Sequence, residues 1–239
     1  MTSVPAQPEA AAADVAAGPP SGPGLHVVSA ARPRPAIDAA SSLGFVPEAW
    51  LGATAPGGLA LPSAMPAADT MYAPRGVWFD DERMIAADSG NHRVLLWNRV
   101  PDRDHVPADV VLGQPDMASE GPKLLHLPTG VAIIDGRLVV ADAWHHRLLV
   151  WHDVPTVDDT PPDVVIGQAD LGGTDPNRGE EAARRDGFYW PYAFGCAGKR
   201  FFVADTGNRR VVGWWSLEHA IAGEPPRFPV HQQMLATMA

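Results

Sequence analysis

Short apolar runs separated by turn-forming residues dominate the chain from about residue 74 onward. The runs hold three to five residues, mostly Val, Ile, Leu and aromatics, and clusters of Gly, Pro and Asp separate them. Runs of this length with such boundaries are typical of short β-strands. The first group of runs comprises Val77–Phe79, Met84–Ala87, Val94–Trp97 and Val110–Leu112. This pattern predicts antiparallel sheets of four strands, and the inner strands are apolar on consecutive residues because both of their faces are covered.

The same pattern occurs three times along the chain. The copies begin at Pro74, Pro128 and Pro191, so they lie 54 and 63 residues apart. In each copy 14 positions separate the Pro from an Asp, and nine separate that Asp from a Trp. Four strands in a repeat of about 40–60 residues is the arrangement of a β-propeller blade. We therefore predict an all-β propeller with about three recognisable four-stranded blades over residues 71–239.

An Asp-x-x-Asn/His-x-Arg segment falls at the turn between the second and third runs of each copy. A short carboxylate can accept backbone N–H groups there, Gly90 or Gly207 can supply a left-handed residue, and the following Arg can pair with an Asp. A catalytic residue is needed once, whereas these residues recur in every copy, so we expect a structural role at the repeat turns. They are Asp88, Asn91, His92, Arg93, Asp142, His146, Arg147, Asp205, Asn208 and Arg210.

These residues carry a family resemblance. Pro-x-Gly-Val followed by Ala-Asp-Ser-Gly-Asn-His-Arg-Val, over residues 74–94, resembles the NHL repeat, named for its Asn-His-Leu core. The second copy departs from that core at His145 and the third at Arg209. Tails of the type Gly-Gln-Pro/Ala-Asp, at 113–116 and 167–170, resemble those of a bacterial subgroup. The resemblance covers roughly residues 74–232 and implies a β-propeller, but propellers host many functions.

Three blades are too few for a closed ring, since NHL propellers usually have about six. Ala49–Gly52 is a candidate outer strand of an incomplete blade, and the third copy ends weakly at residues 228–232. An open arc would expose two apolar blade faces, and exposed patches of that size mark interfaces. Three explanations stay open: a homodimer that closes the ring by two-fold symmetry, a different protein partner, or a truncated gene.

The N-terminal part of the chain has a different composition. Residues 1–25 are dominated by Ala, Pro and Gly and lack the charged and apolar regions of a signal peptide, so we expect a disordered tail. Residues 26–70 are expected to be a partly ordered lead-in with a possible closing strand. No run approaches the ~20 apolar residues of a membrane span. We therefore expect a cytoplasmic protein, and the net charge of −10 makes RNA binding the least favoured alternative.

The least repetitive segment is the loop from Leu171 to Trp190. It combines mixed charge with aromatic residues of the kinds favoured at protein interfaces, which makes it the candidate contact surface. The alternative is that its aromatic residues dock the loop onto the blade edge. The candidate contact residues are Arg184, Arg185, Phe188, Tyr189 and Trp190.

The densest group of potential metal ligands is His145 and His146, with His126 and His152 nearby in sequence. Adjacent residues on a strand point to opposite faces, so we expect neither a metal nor another cofactor there. The resemblance also brings in propeller enzymes, which are metal-dependent lyases or lactonase-like hydrolases whose ligands come from several blades of a complete ring. Such an activity is the alternative to a non-catalytic protein-interaction or scaffold module, and no catalytic residue is assigned.

Two further features have structural interpretations. Cys196 is the single cysteine, which excludes an internal disulfide, and it aligns with Phe79, so we expect a small buried residue. The tail residues Gln114 and Asp116, like their counterparts in the second copy, could meet a ligand at a strand end. We favour the interpretation that the Gln binds loop backbone and the Asp closes a turn.

Overall fold

The structure is a computed structural model that describes residues 49–52 and 65–227. Within these ranges the strands form three antiparallel sheets in the order of the three repeat copies. Blade 1 contains β1 (Gly76–Phe79), β2 (Met84–Asp88), β3 (Arg93–Trp97) and β4 (Val110–Leu112). Blade 2 contains β5 (Gly130–Ile134), β6 (Arg137–Asp142), β7 (Arg147–Trp151) and β8 (Val164–Ile166). Blade 3 contains β9 (Pro191–Ala197), β10 (Arg200–Asp205) and β11 (Arg210–Trp214).

The blades pack face to face through their apolar strands. Val94 of blade 1 and Leu149 of blade 2 belong to one buried cluster, and Leu148 of blade 2 and Val212 of blade 3 belong to the next. The first strands of the blades lie side by side, β1 next to β5 and β5 next to β9. The first strand of each blade is therefore innermost, and β4 and β8 are outermost. This arrangement confirms the predicted all-β propeller.

Blade 3 differs from the others after its third strand. A five-residue helix, α1 (Leu217–Ile221), replaces the extended loop that precedes β4 and β8. The Arg227 N–H then donates to the Gly213 carbonyl at 2.8 Å, as the Asp109 N–H does to the Leu96 carbonyl at the start of β4. The described chain thus stops at the beginning of the fourth-strand position. The predicted weak ending at 228–232 lies outside the described residues, as do the predicted tail 1–25 and most of the lead-in.

Residues 49–52 lie against blade 1 as an outer strand lies against the next blade. The Trp50 N–H donates to Asp104 Oδ1 at 2.7 Å, and the Trp50 carbonyl accepts the His105 N–H at 3.0 Å. Val111 of β4 makes the same pair of bonds, at 2.8 and 2.9 Å, to residues 158 and 159 of blade 2. Residues 104 and 105 occupy the equivalent positions one repeat earlier. Residues 49–52 therefore have the position of an outer strand belonging to a blade before blade 1.

The two end faces of the arc differ in exposure. On blade 3, Val211 is 39% exposed, although its counterpart Leu148 in blade 2 is fully buried. On blade 1 the innermost strand is open, with Val77 61% and Phe79 67% exposed. The outer part of that face is covered, since Leu95 is fully buried in a cluster that includes Met71. The expectation of an exposed apolar face at each end of the arc is therefore wrong for the outer part of blade 1.

Two other expectations concern burial and membranes. Cys196 is exposed, so its predicted burial is wrong, because burial decreases along β9 and the last residues of that strand are uncovered. Partial desolvation and the nearby Asp135 carboxylate raise the pKa of the Cys196 thiol, which is the opposite of activation. No helix within 49–52 and 65–227 is long and apolar enough to span a membrane.

Candidate ligand-binding face

One buried Asp carboxylate organises the turn between the second and third strands of each blade. Asp88 Oδ1 accepts the backbone N–H of Tyr72 at 2.6 Å, and its Oδ2 accepts Asn91 Nδ2 at 2.8 Å and Arg93 Nε at 2.7 Å. Asp205 repeats this set with Tyr189, Asn208 and Arg210, and Asp142 repeats it with His126, His145 and Arg147. Every one of these carboxylates is fully buried, where an unpaired charge would be costly. The Arg of the same turn balances that charge.

The remaining guanidinium nitrogens of these arginines hold neighbouring loops. Arg93 donates to the carbonyls of Met117, Ala67 and Thr70 at 2.6–2.9 Å. Arg147 donates to the carbonyl of Leu171 at 2.5 Å in the same way. Arg93 and Arg147 are buried, and their donors are satisfied by backbone, so they are unavailable to a ligand.

His92 and His146 connect adjacent blades. Nδ1 of His92 accepts the Leu127 N–H, and Nδ1 of His146 accepts the Trp190 N–H, both at 3.1 Å. Both histidines have left-handed backbones, with φ of 55° and 57°. The left-handed residue of the turn is therefore this histidine, or Arg209 in blade 3, and the expectation that a glycine supplies it is wrong. Burial, reinforced by His145, lowers the pKa of His146 to about 4, so the acceptor form persists at neutral pH.

Gly90 and Gly207 are needed for a different reason, which is the close approach of a tyrosine. A Cβ on Gly90 would lie 2.2 Å from Cδ1 of Tyr72, and one on Gly207 would lie 2.5 Å from Cγ of Tyr189. Both glycines also donate their N–H to the carbonyl of the same tyrosine, at 2.8 and 2.6 Å. Only a residue without a side chain allows the ring to lie on the turn.

Blade 2 departs from this design at three positions in one place. Trp144 stands where blades 1 and 3 have glycine, His126 where they have tyrosine, and His145 where they have asparagine. The Trp144 N–H still reaches the His126 carbonyl, but at 3.3 Å, which is longer than in the other blades. The repeat turn forms without these residues in blades 1 and 3. The fold therefore does not require them, and they are the best candidates for a function.

The departures lie within a continuous group of partly exposed rings that we call the aromatic–imidazole patch. Ring centroids are 5.1 Å apart for His92 and His126 and 5.3 Å for His126 and His145. They are 5.1 Å apart for Trp144 and Trp190, and Trp190 lies parallel to Tyr192 at 6.4 Å. The patch comprises His92, His126, Trp144, His145, Trp190 and Tyr192, so all three blades contribute to it.

Electrostatics keep at least two of these imidazoles neutral. Burial lowers the pKa values of His92 and His126, and the neighbouring histidines lower them further. A neutral imidazole offers one donor and one acceptor without net charge. The three patch histidines do not converge on a cation: among the residues placed in the structure, no group of three or more His, Cys, Asp or Glu side chains could hold a metal ion.

The predicted contact loop is divided between core and surface. Phe188 is 2% exposed and packs in the core beside Gly167 and Trp214, so its assignment as a contact residue is wrong. Its ring fills the space above a glycine that follows the outer strand of blade 2. Tyr189 lies 4.6 Å from Trp190, ring to ring, at the border of the patch.

The two arginines of the predicted loop have a different environment from its aromatics. Arg184 pairs with Asp186 at 2.9 Å, and Arg185 lines a small cleft that also includes Ile166 and Glu224. In the described part of the chain, neither Arg184 nor Arg185 lies against a ring of the patch. His152, which the sequence grouped with the other histidines, is exposed after the end of β7, whereas the patch lies at the turn where β7 begins.

His126, Trp144 and Tyr192 form a group that the repeat pattern of the sequence did not predict. The signal for the first two was present, because aligning the three turns places Trp144 against two glycines and His126 against two tyrosines. Gln114 and Gln168, considered as ligand contacts, are buried and donate to the carbonyls of Gly121 and Asp175 at 2.7 and 2.8 Å.

Comparison with known proteins identifies the repeat. Residues 125–151, which include β5, β6 and β7, match the NHL repeat. No curated protein matches the chain. A solved structure from Bacteroides uniformis, provisionally described as a 6-phosphogluconolactonase, matches with 13% identity and a TM-score of 0.36. That match covers 76% of this chain, which spans 58% of the length of the other protein. A similarity at this level carries no argument about activity.

Proposed function

We propose that this chain is a non-catalytic propeller module that binds a partner protein through the aromatic–imidazole patch. One observation carries the proposal: blade 2 replaces Gly, Tyr and Asn of the repeat turn by Trp144, His126 and His145, and all three join one patch. Since the repeat turn forms without these residues in its other copies, they are available for something other than the fold.

The chemistry of the patch suits a protein surface. Trp and Tyr are the residues that contribute most to protein interfaces, since they bury large areas with few rotatable bonds. Trp144, Trp190 and Tyr192 are partly exposed, and the Trp190 ring lies beside both of the other rings. The neutral imidazoles can donate to or accept from a peptide backbone without paying for the desolvation of a charge.

The patch is also held rigidly before any partner arrives. The turn that carries Trp144 and His145 is fixed by the buried Asp142–Arg147 pair at 2.8 Å. Trp190 is fixed by the bond from its N–H to His146. Ordering costs on binding are therefore low, which favours affinity.

The test replaces the three departures by the residues of the other copies, in the triple variant His126→Tyr, Trp144→Gly, His145→Asn. Partner proteins are identified by cross-linking the tagged full chain in its host, and the affinity of each purified partner is then measured by calorimetry. We expect the triple variant to keep its unfolding midpoint and to bind at least about 30-fold more weakly, the loss of one strong interface contact of about 2 kcal/mol.

A matched control keeps the patch and removes exposed apolar surface elsewhere. Val157, which is 67% exposed in a loop of blade 2, is changed to Ser, and binding should be unchanged. Equal affinity of the triple variant and the native chain would contradict the proposal. So would a host cross-linking experiment in which no protein is enriched by the native chain over the triple variant.

A further inference from the structure

We infer that the open ends of the arc bind a second copy of this chain, so that two three-bladed arcs close one ring. Blade 3 of each copy would pack against blade 1 of the other, and residues 49–52 of one copy would lie beside β11 of the other. Two arcs of three blades give six, which is within the usual size of a propeller ring. This surface is separate from the aromatic–imidazole patch, and the two inferences can fail independently.

The first observation is a segment, residues 49–52, in the position of an outer strand, with no inner strands of the same blade in the described chain. Trp50 is held by Asp104 and His105 as the outer strand of a preceding blade, but among the described residues no other strand of that blade is present. The innermost strand of blade 1 is correspondingly exposed to solvent. Val77 is 61% exposed, although its counterpart Val131 in blade 2 is only 7% exposed. A three-stranded unit would fill this place.

Blade 3 supplies such a unit. Its outward face carries Phe202, Ala204 and Val211, at the positions of Ile85, Ala87 and Val94, which blade 2 covers completely. Val211 is instead 39% exposed. The exposed apolar positions of blade 3 are thus the positions at which, in blade 1, the following blade covers the side chains.

The innermost strands also match in size. Gly76 lets the next blade approach closely, since a Cβ there would lie 2.7 Å from the Thr129 carbonyl oxygen, whereas a Cβ on Gly130 would make an ordinary contact at 3.5 Å with the Tyr192 carbonyl oxygen. Blade 3 has the small residue Ala193 at that position, followed on the same face by Gly195. These small residues would lie opposite the exposed Val77 and Phe79 of the partner.

A pair of side chains beside the repeat turn is also consistent with this junction between two copies. The residue before the turn Arg faces a ring of the next blade: His92 is 5.1 Å from His126, and His146 is 5.3 Å from Tyr189. In blade 3 that residue is Arg209, which is exposed, and the corresponding ring in blade 1 is Tyr72, which is 57% exposed. Arg209 of one copy can therefore lie over the partner's Tyr72 as a cation–π pair.

The inference is tested by native mass spectrometry and light scattering on the full chain at micromolar concentration. We expect a species of twice the 25.4-kDa chain mass. Phe79→Asp and Val211→Asp should each convert it to a folded monomer, because both side chains are exposed in the single chain. Val157→Asp, at a position as exposed as Phe79, is the matched control and should stay dimeric.

A swap tests the junction itself. Arg209→Glu should weaken dimerisation by about tenfold or more, as expected for loss of a desolvated cation–π pair. The double variant Arg209→Tyr, Tyr72→Arg should restore it, because the pair is rebuilt with the partners exchanged. A monomeric native chain, a dimer that survives Phe79→Asp and Val211→Asp, or an assembly containing another protein in place of the second copy would overturn the inference.

Discussion

Nδ1 of His146 accepts the backbone N–H of Trp190 at 3.1 Å, and this bond joins blade 2 to blade 3. It also positions Trp190 in the aromatic–imidazole patch. The bond requires an unprotonated Nδ1, and burial keeps it so by lowering the pKa of His146 to about 4. One histidine therefore links the packing of the blades to the geometry of the candidate site.

Acid should weaken this junction. The pKa of His146 is lower in the folded protein than the ordinary value of 6.5, so the unfolded chain takes up the proton first. Its contribution to the free energy of unfolding is therefore complete above pH 6.5 and is lost as pH falls from 6.5 to about 4, by up to about 1.4 kcal/mol per pH unit. Urea unfolding across this range should show the decline.

The variant His146→Asn isolates that contribution. Asparagine tolerates the left-handed backbone and keeps an acceptor, but it does not titrate. Between pH 6.5 and 4, the slope of unfolding free energy against pH should be shallower in the variant than in the native chain. Above pH 7 the two slopes should be similar. An unchanged slope between pH 6.5 and 4 would show that His146 is not the group responsible.

Breaking a buried turn pair should destabilise the blade far more than breaking a surface pair. Arg147 and Asp142 lie 2.8 Å apart with side chains 2% and 0% exposed. Arg147→Ala leaves that carboxylate buried without its cation, so we expect a loss of about 3–5 kcal/mol in unfolding free energy.

The matched control is Arg103→Ala. Arg103 and Asp102 lie 3.5 Å apart with side chains 75% and 78% exposed, so the expected change is at most about 1 kcal/mol. Both variants are compared by urea unfolding at pH 7.5. Similar losses for the two would contradict the assignment of Arg147 as the internal counter-charge of the turn.

The fold could be predicted from the sequence because its signals are local and repeated. Apolar runs of three to five residues and the constant spacing from Pro74 to Asp88 and Trp97 recur in each copy, and repetition makes such a pattern specific. The exposure of Cys196 could not be predicted in this way. Its alignment with Phe79 was correct, but burial there depends on whether a neighbouring blade covers the end of the strand.

The candidate site was harder to predict because it depends on departures from the repeat. The recurring residues include Asp142 and Arg147, which are buried and hydrogen-bonded within the fold. Trp144 and His126 carry information because they do not recur. Their convergence with Trp190 also requires the packing of one blade on the next, which no single segment of sequence encodes.

The tyrosine above the turn in blade 3 should make Gly207 intolerant of a side chain. A Cβ at this position would lie 2.5 Å from Cγ of Tyr189 and 2.6 Å from its carbonyl oxygen. Gly207→Ala should therefore lower the unfolding free energy by about 1–3 kcal/mol through overpacking. Adding Tyr189→His, the residue type that accompanies Trp144 in blade 2, should recover part of that loss. Gly130→Ala is the control, because a Cβ at that position would make only ordinary contacts of 3.4 Å or more.

Phe188 and Trp144 should separate stability from binding. Phe188 is 2% exposed between Gly167 and Trp214, so Phe188→Ala should cost about 3–5 kcal/mol of unfolding free energy. Trp144→Gly should change stability by much less, because the turns of blades 1 and 3 already hold glycine there, and it should weaken partner binding. Thermal unfolding and calorimetric titration of both variants give the two readouts. A stable, non-binding Phe188→Ala protein would return Phe188 to the contact surface, and a strongly destabilised Trp144→Gly protein would make Trp144 a packing residue of blade 2.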